Sequence, residues 1–169
     1  LDERKVVVGM SGGVDSSVAA YLLKQQGYEV IGVMLKLWSE APLPGQLIRD
    51  NACCSLESVN DARAVAAAVG VPFYLLDATK EFYEKVVMPF VEAYLIGDTP
   101  NPCAKCNPEV RWRFLLNYAD LIGAKYVATG HYARLKQAAD GKVTLSRGKD
   151  AKKDQSYILS RLPLAALER

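Results

Sequence analysis

Continuous apolar runs alternate with segments of helical spacing along most of the chain. The runs predict β-strands at Lys5–Gly9, Glu29–Leu35, Pro72–Leu76 and Lys125–Thr129. Strands that lack an alternating polar side are typical of a parallel sheet covered on both faces. The pattern therefore predicts an α/β fold in three layers, in which right-handed crossovers place helices on both faces of a parallel sheet.

The segments between these strands predict helices. Apolar residues recur at helical spacing in Val14–Gln26. Ser55 is expected to cap a second helix that runs to Gly70, because its hydroxyl can accept a hydrogen bond from the first turn. A third helix is predicted over Glu81–Ile96, bent or broken at Pro89, since proline lacks the N–H that continues the hydrogen-bond ladder.

A further helix is predicted with Asn107 as its cap, Pro108 in its first turn and Gly123 after its end. The stretch "GDTPNPCAKCN" before it is predicted to be a loop. Residues Trp38–Ala52 are also predicted to form a loop, because they contain two prolines and a glycine and show no period.

A β-hairpin is predicted near the end of the sequence. Residues Tyr132–Gln137 and Lys142–Arg147 flank Asp140–Gly141, which is a typical hairpin turn. The stretch from Arg134 to Lys153 is also rich in lysine and arginine, which suits contacts with RNA phosphates. A solvated hairpin face is the alternative interpretation.

Composition narrows the class of protein without naming a function. The sequence has 169 residues, half of them hydrophobic, which is enough for one domain with a real core. The net charge of +2 does not by itself indicate a nucleic-acid partner. No apolar segment reaches the roughly 18 residues of a membrane span, and no signal peptide is visible, so we expect a cytoplasmic protein without a membrane partner.

The turn after the first strand has the composition of a phosphate site. Ser11–Gly13 lies between a strand and a helix, where glycines let backbone N–H groups approach an anion and the helix start adds partial positive charge. The turn has no lysine, so it is not a Walker loop, and the hydroxyls of Ser11, Ser16 and Ser17 must assist the amides. Asp15 would repel a phosphate unless a cation lay between them, which predicts a Mg²⁺ ligand. The alternative is a glycine turn in which Asp15 only caps the helix.

The cysteines form two pairs, Cys53–Cys54 and Cys103-x-x-Cys106. The CxxC spacing typically indicates redox or metal chemistry. The alternative for each cysteine is a small buried hydrophobic residue.

Several motifs carry a resemblance to a known family. "SGGVDSS" resembles the PP-loop of the ATP pyrophosphatases, and "GVMLKLW", "TPNPCAKCN", "ATGHYARL" and "KDQSYIL" are similar in order to the bacterial tRNA-specific 2-thiouridylases. The resemblance implies the adenine nucleotide alpha hydrolase-like fold over residues 1–160, with residues 161–169 beginning a following, apparently truncated, tRNA-binding segment. It also implies that ATP adenylates the C2 oxygen of the wobble uridine in tRNA. A cysteine persulfide then delivers sulfur, and AMP and pyrophosphate are released.

The same resemblance assigns residues and partners. Cys106 is implied to be the first catalytic cysteine, and the implied partners are tRNA and a persulfide donor protein supplied by a cysteine desulfurase. The positions implied to bind ATP are Gly9, Met10, Ser11, Gly12, Gly13, Val14, Asp15, Ser16, Leu35 and Gly130. The positions implied to contact tRNA are Asn101, Pro102, Cys103, Lys153, Asp154 and Gln155.

The sequence departs from the family pattern in two ways. Many members have aspartate, a proposed acid/base, at the position of Cys103, which makes Cys103 a second catalytic candidate. Alternatively, Cys103 and Cys106 pair with each other, bind zinc, or hold a [4Fe-4S] cluster with Cys53 or Cys54 that carries hydrosulfide. A second catalytic cysteine is implied to lie downstream of this sequence. We therefore expect a fragment of a longer enzyme that thiolates poorly by itself.

Two other function classes stay open from the residues. One is a different PP-loop adenylating enzyme, such as an amidotransferase-type synthetase, although no catalytic Cys/His pair for such an enzyme is evident. The other is a non-enzymatic adenine-nucleotide binding module, which would not need the CxxC pair. His131 is the only histidine, and it is expected either to be a hydrogen-bonded structural residue or to line the ATP site.

Overall fold

The structure, a computed structural model, describes residues 1–38, 55–139 and 141–169. Its centre is a parallel sheet with the strand order β3-β2-β1-β4. The strands are β1 (Asp2–Gly9), β2 (Glu29–Lys36), β3 (Phe73–Asp77) and β4 (Ala124–Thr129). All of the predicted strands are confirmed. β1 begins three residues earlier than predicted, because Asp2 also pairs with Ala124 of β4.

The two central strands are buried on both faces. Val6, Val7 and Val8 of β1 are fully buried, and Val30 to Leu35 of β2 are buried with them. Val6 and Val8 pack in one apolar cluster, and Val7 packs in another on the opposite face. This arrangement explains why the central strands read as continuous apolar runs, and it confirms the predicted three-layer α/β fold.

One face of the sheet is covered by α1 (Val14–Gln25) and α2 (Leu56–Val69). Ser55 caps α2 as predicted, since its Oγ accepts a hydrogen bond from the Ser58 N–H at 3.0 Å. Gly70 ends α2 in the left-handed conformation, at φ +74°.

The opposite face is covered by helices that contain two π-helical turns. The first such turn, Tyr83–Val87, joins α3 (Thr79–Phe82) to α4 (Met88–Leu95). Pro89 therefore does not break the helix. It lies in the first turn of α4, after a widened turn that accommodates its missing N–H.

The predicted loop before the CxxC pair is confirmed only as far as Asn101, and the predicted cap at Asn107 is wrong. A helix, α5 (Pro102–Cys106), begins within the predicted loop and continues through a π-helical turn, Asn107–Arg111, into α6 (Trp112–Leu121). The cap is Asn101, whose Oδ1 accepts hydrogen bonds from the N–H groups of Cys103 (3.1 Å) and Ala104 (3.3 Å). Asn107 lies inside the helix instead, and its Nδ2 donates to the Cys103 carbonyl at 2.9 Å.

The predicted hairpin is confirmed as a separate two-stranded sheet. β5 (Ala133–Gln137) pairs antiparallel with β6 (Val143–Arg147), from Ala133 opposite Arg147 to Gln137 opposite Val143. Gly141 of the predicted turn adopts φ +82°, whereas Asp140 lies outside the described residues. The predicted loop beyond Trp38 and the pair Cys53–Cys54 also lie outside them.

The last residues pack on the same core. α7 (Ser156–Leu159) and α8 (Leu164–Leu167) contribute Leu159 and Ala166 to the cluster on the second face. The Arg169 guanidinium donates to the carbonyls of Lys125 and Ala124, at 3.0 and 2.9 Å. Across the described residues, no helix is both long and apolar enough to cross a membrane.

Candidate active site

A cavity of about 210 Å³ opens at the carboxyl ends of β1, β2 and β4. Ligands of open parallel α/β sheets bind at this edge. The turn after β1 and the start of α1 form one wall, and the helix that follows Cys106 forms another. The predicted nucleotide-binding residues that line the cavity are Gly9, Met10, Ser11, Asp15, Ser16, Leu35 and Gly130. Gly12, Gly13 and Val14 belong to the same turn but do not line this cavity.

The turn is held by hydroxyl groups. The Ser11 N–H donates to Ser16 Oγ at 3.2 Å, and Ser16 Oγ donates to the Gly13 carbonyl at 3.1 Å. Gly12 has φ +80°, and a Cβ at this position would lie 2.5 Å from the Ser58 carbonyl oxygen of α2. Only glycine therefore fits between the turn and α2, and this contact fixes where the Ser11 and Ser16 hydroxyls lie.

The end of β4 closes against the start of α1. A Cβ on Gly130 would lie 2.5 Å from the Ser16 backbone nitrogen. The backbone after β4 can approach the first turn of α1 this closely only because residue 130 has no side chain. The close approach brings Thr129, Gly130 and His131 into the wall of the cavity.

Asp15 faces the hairpin side of the cavity. It is exposed, and its Oδ1 accepts a hydrogen bond from the Tyr132 hydroxyl at 2.9 Å. This bond to the carboxylate raises the pKa of Tyr132. Tyr132 is joined in turn to Gln155, whose Oε1 accepts from the Tyr132 N–H at 2.9 Å. The start of α1, the base of the hairpin and the segment before α7 thus form one connected wall.

The opposite wall is the π-helical turn that follows Cys106. It contributes Asn107, which is buried, and Arg111, which is half-buried, and the next residue, Trp112, extends it. π-helical turns inside α-helices occur frequently at functional sites. Here the turn faces the hydroxyls of Ser11 and Ser16 across the cavity.

His131 is a partly buried base beside this wall. Its Nδ1 lies 2.7 Å from Thr129 Oγ1. Burial, and secondarily the positive charge of Arg111, lower the pKa of His131 below its usual value of about 6.5. The imidazole is therefore neutral near pH 7. Of the two expectations for this histidine, the structure shows both a hydrogen-bonded residue and a place in the cavity lining.

The two cysteines of the CxxC pair differ in exposure. Cys103 is exposed, whereas Cys106 is 5% exposed and packs in the core cluster that also contains Leu35. Neither cysteine lines the cavity, but the residue after Cys106 does. Within residues 1–38, 55–139 and 141–169, no group of three or more histidine, cysteine or acidic side chains is arranged to hold a metal ion. A zinc site or an iron–sulfur cluster that uses Cys53 or Cys54 stays a prediction.

The residues predicted to contact tRNA lie in two places. Asn101 and Pro102 begin α5, where the Asn101 side chain serves as the helix cap. Asp154 holds the hairpin against α7, since its Oδ1 accepts from the N–H groups of Gly148 (2.8 Å) and Ser156 (3.2 Å). Lys153 is exposed with its Nζ 5.5 Å from the centre of the Tyr132 ring, and Gln155 lines the cavity.

Sequence reasoning missed Arg111, Asn107 and Tyr132 as residues of this site. Arg111 follows Cys106 by five positions, but the alternation of charge and apolar residues in "EVRWRF" does not distinguish it from Arg113. Tyr132 lies two residues after Gly130, a predicted ATP-binding residue, and this closeness in sequence was the available signal. Only the packing of β4 against α1 shows that it reaches Asp15.

Curated relatives of the chain include members of the family that its motifs resemble. The chain is 50% identical over 168 residues to the tRNA-specific 2-thiouridylase MnmA of Clostridium perfringens, which covers 99% of this chain and 46% of that protein. It is 46% identical over 165 residues to the MnmA of Amoebophilus asiaticus, with 98% and 43% covered. The chain spans about half the length of the curated relatives it matches.

A solved structure supports the fold. The glutamine-dependent NAD⁺ synthetase of Acinetobacter baumannii, solved in complex with ADP, aligns with a TM-score of 0.53 and 22% sequence identity over 76% of this chain and 22% of that one. The model of the tRNA methyl transferase HUP domain matches residues 4–169. The chain, similar in sequence to the tRNA-specific 2-thiouridylases, therefore belongs to the tRNA methyl transferase HUP domain family.

Proposed function

We propose that the protein forms 2-thiouridine in tRNA. ATP adenylates the C2 oxygen of the wobble uridine, and a persulfide on Cys106 then replaces that oxygen with sulfur. One observation carries the proposal: a single cavity has the serine-rich turn of Ser11–Ser16 on one wall and the helical turn after Cys106 on the other. A nucleotide held by the first wall would have its phosphates beside the sulfur-bearing segment.

The first wall fits the phosphates of ATP. It offers the Ser11 and Ser16 hydroxyls and the unpaired N–H groups of the first turn of α1, which favour an anion through both hydrogen bonds and the helix dipole. Leu35 lies at the end of β2, where its backbone is proposed to meet the adenine. Asp15 is proposed to hold Mg²⁺, which would neutralise phosphate charge. Its exposed carboxylate would then bind the ion in place of the Tyr132 hydroxyl.

Adenylation is needed because the oxygen of a urea-like carbonyl is a poor leaving group. The C2 oxygen attacks the α-phosphorus, and the bond to pyrophosphate breaks. The terminal persulfide sulfur then attacks C2, and the C–O bond breaks with AMP as the leaving group. A second thiol must finally attack Cys106 Sγ, so that the S–S bond to the uridine sulfur breaks and a disulfide forms. Cys103 is a candidate for acid/base assistance during these steps.

The burial of Cys106 adds a requirement to this mechanism. Cys106 is 5% exposed and does not line the cavity in the described conformation. We propose that the π-helical turn Asn107–Arg111 shifts when substrate binds, because such turns are rare irregularities of α-helices that occur frequently at functional sites. Such a shift would rotate the preceding turn and bring Cys106 toward the phosphates.

A basic surface beside the cavity supports tRNA as the substrate. The hairpin and the turn after it carry exposed basic side chains near Tyr132 and Gln155, which join them to the cavity wall. These exposed residues are Arg134, Lys136, Lys142, Arg147, Lys149, Lys152 and Lys153. Contacts of this kind bind RNA phosphates and weaken as salt rises. A cytoplasmic location and a persulfide donor protein belong to the same proposal.

The test is thiolation by the full-length protein with ATP, a tRNA that has uridine at the wobble position, and a cysteine desulfurase with L-cysteine. Digestion of the tRNA and mass spectrometry measure 2-thiouridine. We expect Cys106→Ser to abolish the product while ATP affinity stays within about twofold, since this cysteine does not line the nucleotide cavity. Ala104→Ser adds the same hydroxyl two residues away and is the matched control, with product retained.

Unchanged thiolation in Cys106→Ser would refute the role of Cys106. Absence of product from the wild-type protein, with ATP binding intact, would favour the non-enzymatic nucleotide-binding class. ATP-dependent thiolation with inorganic sulfide that survives Cys106→Ser would favour direct attack by hydrosulfide over a persulfide on this residue.

A further inference from the structure

Arg111 is a half-buried cation that lines the cavity and has no anionic partner among the described residues. Within the described part of the chain its guanidinium forms no hydrogen bond and no ion pair with a carboxylate. A partly buried guanidinium normally has an anion beside it, because removing the charge from water costs free energy that a partner offsets. The structure therefore leaves a place for an anion at this point of the cavity wall.

The turn on the opposite wall lacks the charge that Arg111 carries. No lysine or arginine occurs between Gly9 and Ser17. Among the described residues that line the cavity, Arg111 is the one with a fixed positive charge, since His131 is neutral near pH 7. Asp15, on the far wall, adds negative charge. Arg111 is therefore the one formal positive charge that the described lining offers to a phosphate in the cavity.

The place of Arg111 in the helix selects one phosphate. Arg111 lies four residues after Asn107, so the two side chains share the helical face that lines the cavity. Cys106 is the residue immediately before Asn107 in the sequence. The terminal phosphates are expected against the Ser11–Ser16 turn. The phosphate that lies between that turn and the cysteine-bearing helix is the one at which the substrate oxygen must react.

We infer that Arg111 binds the α-phosphate of the nucleotide, and that it supplies the cationic contact which the turn after β1 lacks. This inference rests on the proposed function. A guanidinium suits the role because its planar set of N–H donors can hold two phosphate oxygens at once. The same contact would persist on the adenylated uridine and on AMP as it leaves.

The test is calorimetric titration of the chain with adenosine, AMP and ATP in the presence of Mg²⁺. Arg111→Gln should weaken AMP and ATP by the same factor, roughly 10- to 100-fold for the loss of a charged hydrogen bond, and leave adenosine unchanged. Arg111→Lys should recover part of the loss. The control is Arg113→Gln, which removes an exposed arginine from the same helix outside the cavity and should match wild type.

Each other outcome overturns the inference in a distinguishable way. A loss for ATP but not for AMP would place Arg111 at the terminal phosphates. An equal loss of affinity for adenosine would show that Arg111 has a structural role. Wild-type affinity of Arg111→Gln for all three ligands would show that Arg111 does not contact the nucleotide. A wild-type chain that binds neither AMP nor ATP would contradict the proposed function itself, and this inference with it.

Discussion

At the scale of single residues, the pKa of His131 depends on its burial and on the charge of Arg111 in the same cavity wall. Burial is the main reason why its pKa is lowered, and the charge of Arg111 is the second. Because the folded-state pKa lies below the unfolded value of about 6.5, the unfolded state takes up the proton first. The contribution of the neutral His131 to the free energy of unfolding is therefore fully present above about pH 6.5. It is lost as the pH decreases from there through the folded-state pKa.

The prediction is that Arg111→Gln raises the pKa of His131 while leaving it below about 6.5, since burial remains. The chain has only one histidine, so NMR titration of its ring protons gives one curve without assignment. Arg113→Gln, with an exposed arginine removed, should leave the curve in place. A His131 pKa that does not move in Arg111→Gln would show that the guanidinium is not near the ring.

At the scale of elements, the turn between β1 and α1 depends on its contact with α2. Gly12 and Gly27 both have left-handed backbone conformations, with φ +80° and +86°. A Cβ on Gly12 would lie 2.5 Å from the Ser58 carbonyl oxygen, whereas a Cβ on Gly27 would meet nothing within 4 Å. Alanine at either position incurs the left-handed backbone cost of about 1–2 kcal/mol. Only alanine at Gly12 must also displace backbone atoms of α2.

We therefore expect Gly12→Ala to lower the free energy of unfolding by about 1–3 kcal/mol more than Gly27→Ala, as overpacking typically does. It should also weaken ATP binding, because the displaced turn carries Ser11 and Ser16 out of position. Urea denaturation and ATP titration measure the two effects. Equal destabilisation of the two variants, with ATP affinity unchanged, would show that the contact with α2 does not set the turn.

The elements also show which sequence signals were sufficient. The strands were predictable because β1 and β2 are buried on both faces and must be apolar throughout. The start of the cysteine-bearing helix was not predictable, because Asn101–Pro102 and Asn107–Pro108 are equally good start signals. Asn101 is the cap since the π-helical turn absorbs Pro108 within a continuous helix, and nothing local in the sequence indicates such a turn.

At the scale of the whole molecule, the site is assembled from segments far apart in sequence. The serine turn was predictable from its composition and its place between a strand and a helix. Arg111 and Tyr132 were not, because their directions depend on long-range packing: Tyr132 reaches Asp15 across 117 positions of sequence. The burial of Cys106 was also not predictable, since a cysteine is equally compatible with a core and with a reactive site.

The most direct measurement of the central claim is a crystal structure with an ATP analogue in which a methylene replaces the bridging oxygen between the α- and β-phosphates. The account predicts terminal phosphates on Ser11, Ser16 and the first turn of α1, with the remaining phosphate facing the helix that follows Cys106. A nucleotide lodged elsewhere would contradict it, for example in the groove between α1 and α2 lined by Val14, Val18 and Val65.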